Sequence, residues 1–161
     1  MPKGIRNPKD LRRTFWNFMS DLARKDDKVI VLTGDLGYSF YEEYAEEFPD
    51  RFINCGCIEQ SMVGIAAGLA LAGWKPFVYS GSVFLLTRAY EQIRNDVIYN
   101  KLNVKLVGTG AGVFLGFTHN FENNENEEDL LKNLPLKRFS PHTPRDLKIA
   151  LNYSKGAFIK L

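Results

Sequence analysis

The sequence predicts an α/β fold, a mostly parallel sheet with helices on both faces. Three observations lead there. Short apolar, β-branched bursts (KVIVLT at 28–33, KPFVYS at 75–80, NVKLVGT at 103–109) run without polar alternation, as strands covered on both faces do. Helix-length segments with apolar residues three and four apart separate those bursts. The 161 residues are 45% hydrophobic and contain no internal repeat or linker, which suits a single domain spanning 1–161 with a sizeable core.

Taken in order, Asn7-Pro8 precedes the amphipathic run Leu11, Phe15, Phe18, Met19 and Leu22, which predicts a capped helix to about Lys25. KVIVLT is the first strand and ends in Gly34-Asp35-Leu36-Gly37. A short helix is expected over SFYEEYAEEF, then a brief strand from Arg51 to Asn54. The next helix follows Glu59, with Gly64, Gly68 and Ala72 on one small-residue face open to close packing. KPFVYS is a strand, Val83 to Tyr99 a third major helix, and NVKLVGT a further strand. Beyond a Gly-rich turn, ENNENEED is the least structured stretch. A short helix around Leu130 to Asn133 stops at Pro135. A helix from Pro144 to Tyr153 then leads into a last strand, GAFIKL.

The composition excludes several classes of function. Lys plus Arg is 21 against 19 for Asp plus Glu, so there is no electrostatic case for nucleic acid or a membrane surface as partner. No apolar run approaches the ~20 residues of a membrane span. Cys55 and Cys57 lie two apart, but a structural zinc needs four ligands and the only histidines are His119 and His142. No metal site is expected on this chain. The lack of a disulfide framework points to the cytoplasm.

Ligands of such sheets sit beyond the carboxyl ends of the strands. Asp35, the Cys-Gly-Cys before Glu59, Ser80 to Phe84, and Thr109 to His119 all fall in strand-to-helix turns on that edge. Glu59 draws attention because it is the one acid in FINCGCIEQSMVGIAAGLALAG. The eleven residues from Met62 to Ala72 carry no polar side chain. A carboxylate at the mouth of a buried helix needs a partner. On spacing alone, complementing the helix dipole is one role open to it. A functional one is the other.

The segment FPDRFINCGCIEQSMVGIAAGLALAGWKPFV resembles the pyrimidine-binding domain of the transketolase family of thiamine diphosphate enzymes. The resemblance continues through VFLLTRAYEQIRNDVIYNKLNVKLVGTGAGV, LGFTH, EDLLKNLP and SPHTPRDL, so it covers nearly the whole chain in order. It is nearest the carboxyl-terminal subunits of split transketolases, and deoxyxylulose-phosphate synthase is a near relative. It implies that Glu59 hydrogen-bonds a pyrimidine ring nitrogen of thiamine diphosphate and so activates the cofactor. A carboxyl group kept protonated by partial burial would serve that role. Phe84 corresponds to the aromatic that packs on the pyrimidine. Tyr90 corresponds to a second pocket aromatic, with plain core packing equally open. Asp35 and Leu36 match an Asp-Leu pair near the cofactor. His119, within Thr118-His119, matches a histidine facing the substrate.

The sequence also departs from that family. Gly34-Asp35-Leu36 lacks the third glycine of the motif through which Mg²⁺ and the diphosphate are held. The diphosphate-binding domain is therefore expected on a separately encoded partner subunit, which would hold the Mg²⁺ and share the cofactor in a homo- or hetero-oligomer. The sequence stops at Leu161, where the family continues into a third domain. Leu115 stands where the family carries an acidic sugar-hydroxyl partner, and Gly110 where a histidine is often found. These changes alter discrimination among sugar or sugar-phosphate substrates. The expected activity is transfer of a two-carbon ketol unit between sugars, with the partner present. Two alternatives stay open. One is another thiamine enzyme subunit, either deoxyxylulose-phosphate-synthase-like or a 2-oxoacid decarboxylase. The other is a non-catalytic assembly module retaining the fold.

Overall fold

The computed structural model describes residues 10–110 and 129–161. Among the described residues six strands form one sheet in the order β2-β1-β3-β4-β6-β5, and every neighbouring pair is parallel. They are β1 (Val29–Thr33), β2 (Phe52–Asn54), β3 (Lys75–Gly81), β4 (Lys105–Thr109), β5 (Lys137–Phe139) and β6 (Ala157–Lys160). The apolar bursts of the sequence become the buried central strands. Alternate residues face opposite sides of a pleated strand, so each burst feeds two cores. Val29, Val31, Phe77, Tyr79, Val107 and Ile159 pack under α1 (Arg12–Lys25), α2 (Glu42–Glu47) and α7 (Pro144–Leu151). Leu32, Val78, Leu106 and Phe158 pack under α3 (Glu59–Leu71) and α4 (Ser82–Arg88). Helices therefore cover both faces, as expected.

Local chemistry sets where the helices begin. α1 starts at Arg12, where the Asp10 carboxylate accepts from the Arg12 backbone N–H at 3.0 Å and from its guanidinium at 2.8 and 2.7 Å. The Asn7-Pro8 cap expected from sequence lies outside the described residues. α7 starts on a capping box. Thr143 Oγ1 accepts from the Asp146 N–H at 3.2 Å, and the Asp146 carboxylate accepts from the Thr143 N–H at 3.1 Å.

Two expectations are corrected. The helix expected from Val83 to Tyr99 is not continuous. α4 ends at Arg88, a three-residue turn follows as α5 (Tyr90–Gln92), and Ile93–Ile98 is π-helical. Among the buried residues here, Leu85, Ala89, Ile93 and Val97 recur every four positions, with Leu86 beside them. An ideal α-helix turns about 40° too far over four residues to keep them on one face. Wider turns, with Tyr99 N–H donating to Arg94 C=O at 3.0 Å and Leu102 N–H to Val97 C=O at 2.9 Å, restore the stripe. The second correction is β5, a strand not expected from the sequence. It follows a helical turn at 129–132 (α6) and, among the described residues, pairs only with β6.

The strand order also fixes where a site can form. From β1 the chain crosses to β2 on one side, then returns to β3 on the other. The carboxyl ends of β1 and β3 therefore open onto the crevice where the winding reverses. Gly34 follows β1 there, Ser80 and Gly81 end β3, and α3 and α4 both begin beside them.

Candidate active site

Glu59, the first residue of α3, lies at this crevice and is 1% exposed. Its carboxylate is divided between two donors. Ser80 Oγ, from the end of β3, donates to Oε1 at 2.9 Å, and Arg88 Nη1, from the end of α4, donates to Oε2 at 2.9 Å. A buried carboxylate is tolerated only with such pairing. Gly34 closes the third side. A Cβ there would stand 2.9 Å from Ser80 Oγ, 3.0 Å from Glu59 Oε1 and 3.4 Å from Met62 Cε. The close approach of β1 to the carboxylate thus depends on a residue without a side chain.

Arg88 also lies over the Phe84 ring, its Cζ 4.0 Å from the centroid. Positions 84 and 88 are one turn apart on α4, which brings them together. One guanidinium therefore links the carboxylate to the aromatic face. Phe84 and Leu36 line a cavity of about 110 Å³ with Gly37, Tyr79, Gly81 and Thr109. Leu36 is held there by its carbonyl, which accepts from Thr33 Oγ1 at 2.7 Å.

Asp35 takes a left-handed backbone conformation, φ 58°, at the turn after β1. Its exposed carboxylate accepts from the Tyr38 hydroxyl and from Asn54 Nδ2 at 3.1 Å. Those hydrogen bonds, Tyr38 first, hold Asp35 below the usual carboxylate range. The same bond pushes the Tyr38 phenol up to about 12.

The structure thus brings Glu59, Phe84 and the Asp35-Leu36 turn to one edge of the sheet. Tyr90 does not line the cavity with Phe84. It packs, half-buried, against the α3 and α4 core. His119 lies outside the described residues. Cys55 is half-buried and Cys57 exposed, both as free thiols. Among the described residues no three His, Cys, Asp or Glu side chains cluster as a metal site.

Sequence reasoning missed Ser80 and Arg88 as partners of Glu59. Ser80 had a signal, because it ends an apolar strand on the ligand-bearing edge. Arg88 had only its helical spacing from Phe84.

Fold and site together define an α/β domain with a buried, paired carboxylate at the switch point of a parallel sheet. This chain belongs to the family described as "Transketolase, pyrimidine binding domain", whose model matches residues 7–154. That family is one of thiamine diphosphate enzymes. A putative transketolase C-terminal section from Methanocaldococcus jannaschii is 45% identical over 109 residues, 67% of this chain and 34% of that protein. An apulose-4-phosphate transketolase subunit from Phocaeicola vulgatus is 30% identical over 156 residues, 93% of this chain and 50% of that protein. Among solved structures, a split-gene transketolase in an inactive beta4 tetramer superposes with a TM-score of 0.79 at 34% identity. That match covers 93% of this chain and 50% of the other. The chain spans between a third and a half of the length of these relatives.

Proposed function

We propose that this chain provides the pyrimidine-binding half of a split, transketolase-like enzyme that transfers a two-carbon ketol unit between sugars or sugar phosphates. A separately encoded subunit would supply the diphosphate site and its Mg²⁺, with the active site between chains of an oligomer. The observation that carries this reading is Glu59, a carboxylate 1% exposed at the one crevice where a parallel sheet of this order binds ligands.

The residues present fit an aminopyrimidine ring. A flat aromatic with one polar edge needs an apolar face to stack on and a carboxyl to meet that edge. Phe84 and Glu59 are joined by a single planar cation, so the two lie within one ring's reach of each other. Thiamine diphosphate, when bound, supplies the nucleophilic carbon. The work of this chain is positioning and proton placement. Glu59 holds a proton at the pyrimidine ring nitrogen, Ser80 fixes the rotamer of its carboxyl, and Gly34 lets that carboxyl lie close to β1. Phe84 orients the ring, and Leu36 closes the apolar wall. Asp35 shapes the turn that carries Leu36, and Tyr90 backs α4 from the core. His119 is assigned to the substrate side. Two free thiols and no expected disulfide framework support a cytoplasmic location. No helix among the described residues is long and apolar enough to cross a membrane.

Calorimetric titration of thiamine diphosphate with Mg²⁺ tests the reading, first on this chain and then on its mixture with a candidate diphosphate subunit. Heat of binding should appear only in the mixture. In that assembly Glu59→Gln should retain binding within a few-fold and lose about 10²–10⁴ in kcat, as expected on removing a proton-transfer group. If the two chains associate and the mixture binds no cofactor, the chain is an assembly module.

A further inference from the structure

Arg88 does more at this site than neutralise a buried acid. Its guanidinium donates to Glu59 Oε2 at 2.9 Å while its Cζ stands 4.0 Å over Phe84. A flat group with N–H donors on its rim, stacked on Phe84 and hydrogen-bonded to Glu59, reproduces both contacts that an aminopyrimidine ring would make there. A guanidinium and the amidine edge of such a ring share the same planar N–C–N fork. One volume cannot hold both.

We propose that Arg88 is an internal stand-in for the cofactor's ring, holding the place between Glu59 and Phe84 and swinging out before the ring can enter. The inference rests on the thiamine reading above.

Three features make Arg88 suited to leaving. Its side chain is 39% exposed, whereas Glu59 is 1% exposed, so the head group has solvent to go to and the carboxylate does not. It stands on the last residue of α4, ahead of the break at Ala89, where the backbone leaves the helical region at φ −108° and ψ 17°. Salt screens the exposed guanidinium, and the entering ring replaces the partner that the buried carboxylate needs.

The exchange has a chemical consequence. Arginine keeps its proton at any working pH, so the latched Glu59 faces a permanent cation. With Arg88 withdrawn, the carboxyl faces a ring nitrogen with which it can share a proton. A chain holding its own arginine in the site is thereby shut until cofactor and partner together outcompete it.

The test is calorimetric titration of thiamine diphosphate with Mg²⁺ into the assembled pair of subunits, comparing wild type with Arg88→Met and Arg88→Lys. Thermal unfolding would confirm that each variant is folded, and Arg88→Gln would replace a methionine variant that is not. Arg88→Met should bind about tenfold more tightly, as expected if the latched state holds about nine-tenths of the unliganded population. Arg88→Lys should fall between, since it keeps the charge without the fork. The wild-type to Arg88→Met ratio of Kd should shrink toward one between about 0.05 and about 0.5 M KCl. Removing a cation would by itself weaken binding of an anionic cofactor, so tightening cannot be a general charge effect. Weaker binding by Arg88→Met would make Arg88 a cofactor ligand and overturn the latch, leaving the thiamine reading intact. Unchanged affinity overturns the latch as well. Binding by neither wild type nor variant overturns the thiamine reading, and the latch with it.

Discussion

A methyl group at position 34 would lie 3.0 Å from Glu59 Oε1 and 2.9 Å from Ser80 Oγ, both closer than a carbon is normally allowed. Gly34 has no positive φ, so the penalty in Gly34→Ala is steric and falls on the carboxylate. We expect a stability loss of about 1–3 kcal/mol from overpacking, read by chemical denaturation, together with weaker cofactor binding by the assembled enzyme. Unchanged binding and stability would show that the carboxylate has room to retreat. Glu59 itself was legible in the sequence, because a lone acid opening an uncharged helix demands a partner. Its partners were not. Arg88 is 29 positions away and Ser80 is 21, and only the fold brings α4 and β3 to the start of α3.

Individual elements were legible in proportion to how completely local pattern determines them. β1, β3 and β4 are continuous apolar runs that have no alternative as helices of useful length. α7 shows its start in the sequence, with Thr143, Pro144 and Asp146 in capping order. Thr143→Ala should therefore cost about 1 kcal/mol, measurable as a lowered unfolding midpoint with an unchanged denaturant slope. That cap has a defined pH dependence. The hydrogen bond from Thr143 is the main cause that lowers the Asp146 pKa, so its contribution is present above the ordinary Asp range and is lost as pH falls through the depressed value. β5 was illegible because Lys137 and Arg138 begin it. A three-residue strand with two exposed cations carries no apolar signature, and its pairing with β6 comes from tertiary position. The π-helical run escaped for a subtler reason. A spacing of four reads as α-helical in a short window, and the excess rotation accumulates only over several turns.

At the scale of the molecule, the two edges of the sheet have different chemistry. Lys105 lies at the amino end of β4, on the side away from Glu59, and is 3% exposed. Its ammonium donates to the Lys155 carbonyl at 2.8 Å and to Asn103 Oδ1. Burial lowers its pKa from 10.5 to about 8. Between those two values the unfolded chain holds a proton that the folded chain has released, so Lys105's contribution to stability rises with pH across the window. Below about 8 both states are charged and the folded protein carries the full desolvation penalty. Relative to Lys105→Met, wild type should thus gain up to about 3 kcal/mol from pH 8 to 10.5. Paired unfolding curves at the two pH values measure this, and a flat difference would mean that the amine stays hydrated.

The two outermost strands, β2 and β5, are three residues each, flanking central strands of four to seven. A rim that short offers an approaching chain few unpaired N–H and C=O groups, and β5 presents Lys137 and Arg138 as well. Strand-to-strand polymerisation, the usual hazard of an open parallel sheet, is thereby discouraged at both ends. Assembly is thereby left to the helical faces and the loop-bearing rim, routes along which two copies can meet without extending into a fibre.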